Sequence, residues 1–202
     1  MADPVYILAT RNEHKLRELA EILPGVRLHP LPREVQVPPE DGDSFAANAL
    51  IKARAARAAT GEAAIADDSG IEASALAGRP GIRSARFAGE GASDEQNLEK
   101  LLGEVAAAGE DRAAAYVCVI ALVDARGERT FEGRCEGQLA AAPRGAGGFG
   151  YDPAFVPNDT GPEDQRTMAE LSAAEKHAIS HRGRAARRLA DYLGGAERGA
   201  AR

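Results

Sequence analysis

The sequence predicts a mixed α/β domain built on one extended sheet, and three observations predict it. Short apolar runs alternate with amphipathic helical stretches through the first half of the chain, the pattern of strand–helix units. Residues 113–123, AAAYVCVIALV, are almost entirely apolar, as suits a central strand covered on both faces. The stretch after them, ERTFEGRCEG, alternates polar and apolar positions, as a half-buried hairpin partner does. With 202 residues, 44% hydrophobic and 28% charged, the chain has the length for one large domain and a sizeable core. No internal repeat or linker divides it.

In chain order, VYILA (5–9) reads as a buried strand ending at Thr10. Leu16, Leu19, Ala20 and Leu23 then follow helical spacing, with Asn12 as N-cap and Pro24-Gly25 as the stop. Residues 26–31 form a candidate second strand, followed by a loop rich in proline and acid (32–43). Ser44 caps a helix over 45–60 that Gly61 closes. A strand at 63–67 runs into Asp67-Asp68, IEASAL (71–76) is a candidate short strand, and the glycine-rich 77–92 is a loop. Ser93 and Gln96 form a capping box before a helix that places Leu98, Leu101, Leu102 and Val105 on one face. After the hairpin, 143–166 is rich in glycine and proline. Ser172 and Glu175 then open either one long helix or two, the second recapped at Ser180, and 195–202 is expected to be a flexible tail.

Composition removes several classes of function. The net charge of −6 makes the chain a poor general binder of nucleic acid or of an anionic membrane. The N-terminus lacks a signal peptide's basic region and long apolar run, and no stretch approaches the roughly 20 apolar residues of a membrane span. Cys118 and Cys135 lie in strand-like contexts and read as reduced, buried thiols of a cytoplasmic protein.

Several motifs fail on context. GAGGFG (145–150) has the spacing of a dinucleotide fingerprint, but YDPAFVP follows where a helix must open. RELAEILPG (17–25) echoes a Nudix box without its paired glutamates, and there is no P-loop. Asp67-Asp68 lacks the one-residue gap of aspartyl-phosphate hydrolases. His177 and His181 stand four apart, able to share a helix face, but without the glutamate of a zinc protease.

Three sets of residues remain. Glu40, Asp67 and Asp68 offer oxygen ligands alone, which suits Mg²⁺ or Mn²⁺ rather than zinc, while a solvated Asp-Asp-Ser-Gly turn is the plainer alternative. Arg11, Lys15, Lys52, Arg86, Lys176, His181 and Arg182 are basic. Thr10, Asn12 and the amides opening the first helix add donors for an anion, and Asn48 stands one turn before Lys52. Phe149 and Tyr151 bracket a glycine in a chain with four tyrosines, five phenylalanines and no tryptophan. Either they stack on a base, or Phe149 anchors the loop to the core.

ILATRNEHKLREL, FAANALIKA, IADDSGIEASALAGRPGIRSARFAG, GGFGYDPAFVP and TMAELSAAEKHAISHRGRA stand in an order and spacing that resemble the inosine/xanthosine triphosphate pyrophosphatases, from about residue 5 to 193. The resemblance implies a long, curved central sheet flanked by helices, with the active site in a cleft between two lobes of one domain over 1–194, and a homodimer. It implies Mg²⁺-dependent hydrolysis of a non-canonical purine nucleoside triphosphate to monophosphate and pyrophosphate. Carried over by position, Asp68 is metal ligand and proton acceptor and Glu40 a second ligand. Thr10, Arg11, Asn12, Glu13, His14, Lys15 and Ser69 contact substrate. Phe149, Gly150, Tyr151, Asp152, Lys176, His181 and Arg182 bind base and nucleotide, and Asp67, Asn48, Lys52 and Arg86 support them. Arg11 departs from the pattern, standing where glycine is frequent. A nucleotide-sensing module without turnover and a pyrophosphatase for another modified nucleotide are the alternatives.

Overall fold

Successive residues of a strand face opposite ways, so a strand with no polar face needs cover on both sides. The computed structural model describes residues 4–200, with side chains through 195, and supplies that cover. In order along the chain come β1 (Val5–Leu8), α1 (Glu13–Ile22), β2 (Arg27–Pro30), α2 (Phe45–Thr60), β3 (Ala63–Ala73), α3 (Asp94–Ala108), β4 (Ala113–Asp124), β5 (Gly127–Leu139), β6 (Phe155–Pro157), α4 (Ala173–Ile179) and α5 (His181–Ala200). The strands form one six-stranded sheet in the order β2-β1-β3-β4-β5-β6. β1 runs parallel to β2 and β3, whereas β5 and β6 are antiparallel, so the sheet is mixed as the sequence predicts.

The chain divides into two compact units. The first takes residues up to Asp68, then Cys118–Gly133, then Arg182 onward. On one face of its strands, Tyr6, Leu8, Ile65, Cys118, Ile120 and Leu122 pack with Leu19 of α1, with Leu23 just after it, and with Ala185, Ala186 and Leu189 of α5. On the other face, Ile7, Ala9, Ala64, Ala66, Ala121 and Val123 pack with Ala49, Ala53 and Ala56 of α2. The alanine stripe of α2 lets that helix approach the sheet closely. The second unit takes Ser69–Val117 and Arg134–His181. Its core joins Ile71 and Ala73 of β3, Leu98, Leu101 and Val105 of α3, Tyr116 of β4, Cys135 and Leu139 of β5, and Tyr151, Phe155 and Met168.

The structure corrects the sequence reading at several places. β3 does not stop at Asp67: it is one strand of 11 residues, and both aspartates lie within it. The expected strand 71–76 supplies only the end of β3, and Ser74–Leu76 is a 3-10 turn. The loop over 77–92 holds another 3-10 segment, Gly81–Arg86. Of the two readings of the final helical stretch, the structure bears out the second: two helices, broken where Ser180 turns extended at φ −64°, ψ 154°. His177 and His181 therefore sit on different helices. α5 continues through Ala200, covering much of the stretch expected as a tail, and residues 201–202 lie outside those described.

Candidate functional site

Two adjacent aspartates inside a pleated strand must point to opposite faces. Asp67 shares the face of Ile65 and looks toward α1 and α5. Asp68 shares the face of Ala64 and Ala66 and looks toward α2. Each carboxylate makes its closest ion pairs with different cations.

On the α2 face, Asn48 and Lys52 sit one turn apart and both reach Asp68. Asn48 Nδ2 donates to Asp68 Oδ2 at 3.2 Å, and Lys52 Nζ lies 3.4 Å from Asp68 Oδ1. The same ammonium donates to Glu40 Oε1 at 2.6 Å. Asn48 also fixes the loop that carries Glu40, because its Oδ1 accepts from the amide of Gly42 at 2.8 Å. Gly42 is required there: a Cβ would stand 2.7 Å from that Oδ1. Burial pushes the Asp68 carboxyl above its ordinary value; the Lys52 charge pulls the other way and Glu40 adds to the rise. Burial works against the Lys52 charge too, but Asp68, Asp67 and Glu40 outweigh it and hold the ammonium above its usual range. Among the described residues no group of three or more His, Cys, Asp or Glu side chains is arranged to hold a metal ion. The cluster instead offers two converging carboxylates, the number Mg²⁺ commonly takes from protein when phosphates complete its shell.

On the opposite face, Asp67 is fully buried. Lys15 Nζ lies 3.1 Å and Arg182 Nη2 3.3 Å from its Oδ2. Arg182, itself 2% exposed, also pairs with Glu18 Oε2 at 2.5 Å. Burial opposes ionisation of Asp67, yet the Lys15, Arg182 and Lys52 charges outweigh it and hold the carboxyl well below its ordinary value. Asp67 is therefore an internal counter-ion for Lys15 and Arg182, on the face of β3 opposite that of Asp68. Glu18 completes the cluster, a residue that sequence reasoning missed; its position one turn after Lys15 on α1 was the available signal.

The turn between β1 and α1 is also more occupied than its sequence suggests. Asn12 Oδ1 accepts from the amides of His14 and Lys15 at 3.0 and 3.1 Å, so an anion arriving at this helix start competes with the cap. Arg11 turns its guanidinium onto the carbonyls of Leu31, Pro32 and Val35 at 2.6, 2.6 and 2.8 Å, tying down the loop after β2. Thr10 is buried, and Glu13 and His14 are exposed on the first turn of α1.

The second unit holds the remaining residues. Asp152 is its hub: Oδ2 accepts from Lys176 Nζ at 2.7 Å and from the Phe149 amide at 2.9 Å, and Oδ1 accepts from Tyr116 Oη at 3.2 Å. The Lys176 ammonium stands 5.1 Å from the centre of the half-buried Phe149 ring. Gly150 donates its amide to Asp94 Oδ2 at 2.8 Å. Tyr151 is buried and donates to the Ser84 carbonyl at 2.7 Å, so Tyr151, rather than Phe149, anchors this loop to the core. Phe149 alone of the two keeps an accessible ring. His181 stacks on Tyr116 with ring centres 4.4 Å apart. Ser69 is half-buried in β3, and Arg86 pairs with Glu90 at 3.6 Å. His181 and Arg182, adjacent in sequence and expected to read the base together, have separate partners.

The chain resembles known proteins along most of its length. Residues 6–192 match the model of the Ham1 family. The chain is 49% identical over 195 residues to the dITP/XTP pyrophosphatase of Geobacter sulfurreducens, covering 93% of this chain and 96% of the relative. It is 48% identical over 191 residues to the dITP/XTP pyrophosphatase of Thermosynechococcus vestitus, covering 93% and 94%. Among solved structures, a HAM1 protein from Coxiella burnetii superposes with a TM-score of 0.85 at 41% identity, covering 95% of this chain and 99% of that one.

Proposed function

The chain belongs to the Ham1 family, and from that premise we propose that it hydrolyses dITP, ITP and XTP to the monophosphate and pyrophosphate, clearing non-canonical purines from the nucleotide pool. The observation that carries the proposal is the convergence of Asp68, Glu40 and Lys52 beside β3. Asp68 and Glu40 are the residues that would hold Mg²⁺, with Mn²⁺ as substitute, and the bound ion supplies Lewis-acid neutralisation of phosphate oxygens. Asp68 takes the proton of the attacking water. Burial raises its pKa, which makes it a stronger base than an ordinary aspartate, and general-base catalysis is worth about 10²–10⁴ in rate. Lys52 offsets charge that spreads over the phosphoryl oxygens. Asp67 keeps Lys15 at the end of α1 that faces the triphosphate.

Phe149 supplies a face for the purine, and His181 a hydrogen-bond donor for a 6-keto oxygen. Adenine presents an amino group instead, setting donor against donor at a cost of about 1–3 kcal/mol. The resemblance further supports a homodimer. The two buried cysteines, Cys118 and Cys135, neither of them in a disulfide, support a cytoplasmic setting.

The test is a panel of ITP, XTP, dITP, GTP and ATP, with and without Mg²⁺, read by pyrophosphate release. The three non-canonical nucleotides should be hydrolysed only with Mg²⁺, and ATP and GTP poorly. Nucleotide binding without pyrophosphate release would make the protein a sensor, and release from a modified pyrimidine in preference to dITP would move the substrate class.

A further inference from the structure

Tyr116 is the one residue with a polar tip in the apolar run of β4, and it is 6% exposed. Its ring lies 4.4 Å from that of His181 with 6° between the planes, a face-to-face stack. Its hydroxyl donates to Asp152 Oδ1 at 3.2 Å. Phe155 packs against the Tyr116 ring itself, with ring centres 4.7 Å apart and planes tilted by 57°. Asp152 in turn holds the Lys176 ammonium and the Phe149 amide through its other oxygen. His181, Asp152, Lys176 and Phe149 are thus each touched either by Tyr116 or by the carboxylate that Tyr116 orients.

We propose that Tyr116 is a positioning residue for purine recognition: its ring sets the plane of His181, and its hydroxyl sets the carboxylate that places Lys176 and Phe149. This rests on the assignment of those residues to the purine. Tyr116 reaches the nucleotide only through them and makes no contribution to the phosphoryl chemistry at Asp68. Substitution should therefore weaken recognition of the base and spare recognition of the polyphosphate.

Two inhibitors of dITP hydrolysis separate the ends. IMP carries the base without the triphosphate, and tripolyphosphate carries the triphosphate without the base. Tyr116→Leu removes both contacts and should raise the IMP inhibition constant and the KM for dITP about tenfold, with kcat and tripolyphosphate inhibition within about twofold of wild type. Tyr116→Phe keeps the stack and loses only the hydroxyl. It should restore most of the IMP affinity, leaving a deficit of about threefold. Circular dichroism and urea unfolding establish that each variant is folded, and Tyr116→Phe carries the test if Tyr116→Leu is not. Equal weakening toward both inhibitors, or a folded Tyr116→Phe enzyme with unchanged IMP inhibition, overturns the positioning role. A wild-type enzyme that IMP inhibits no better than ribose 5-phosphate overturns the purine assignment itself, and the role with it.

Discussion

At the scale of the residue, the aspartate pair divides its work by the pleat of β3, and the two halves respond to pH with opposite sign. Asp67 has its carboxyl held below the ordinary 3.8, so its contribution to stability is present above that value and is lost as pH falls beneath it. Asp67→Asn should cost about 3–5 kcal/mol in urea unfolding at pH 7, because Lys15 and Arg182 lose a buried partner. The gap should narrow below about pH 4. A variant as stable as wild type at pH 7 would remove Asp67 from its place as counter-ion. Asp68 has its carboxyl raised, so its ionised form works against folding, and a stability contribution present at low pH is lost as pH rises through the folded value. Asp68→Asn should unfold no more readily than wild type at pH 7 yet hydrolyse dITP at least about a hundredfold more slowly. Near-full turnover in that variant would show the proton acceptor to be elsewhere.

At the scale of the element, the loop between β5 and β6 is a device for aiming Phe149. Its curvature depends on Gly148, whose φ is +71° and where a Cβ would stand 2.1 Å from Asp152 Oδ2. That oxygen is the acceptor for both Lys176 and the Phe149 amide. Gly148→Ala should push the carboxylate aside and raise the KM for dITP about tenfold while kcat stays within about twofold. A loss confined to kcat would mean that the loop serves the chemistry instead. In the first unit, α2 plays the matching part. Its alanines bring it onto the sheet, and that closeness lets Asn48 and Lys52 reach a carboxylate on β3.

At the scale of the whole molecule, one mixed sheet carries two sets of chemistry through its long strands. β3 supplies Asp67 and Asp68 to the first unit and Ser69 to the second. β4 supplies Tyr116 to the second before entering the first at Cys118. Cys118 is buried, and its thiol is pushed up to about 12, chiefly by burial, which leaves it inert to oxidants at neutral pH. The proposed homodimer belongs to this scale. For a chain of 21.1 kDa, sedimentation equilibrium at micromolar concentration should read twice that mass. A species of the single chain's mass throughout that range would remove the dimer.

The sequence alone determined the mixed α/β class, the helix caps at Asn12, Ser44, Ser93 and Ser172, and the central strand at 113–123. These follow from local periodicity and local hydrogen bonding, which a few neighbouring residues decide. It also brought Glu40, Asp68 and Lys52 under suspicion through residue chemistry. Only the tertiary structure decided that Asp67 and Asp68 face opposite sides of β3, that Tyr151 is an anchor, that Arg182 is tied to Asp67 and Glu18, and that Tyr116 lies beneath His181. Each of those facts depends on which face of a strand meets which helix, and on contacts between residues as far apart in sequence as Asp67 and Arg182. A buried charge takes whatever partner the packing brings within reach, and local sequence carries no record of that partner.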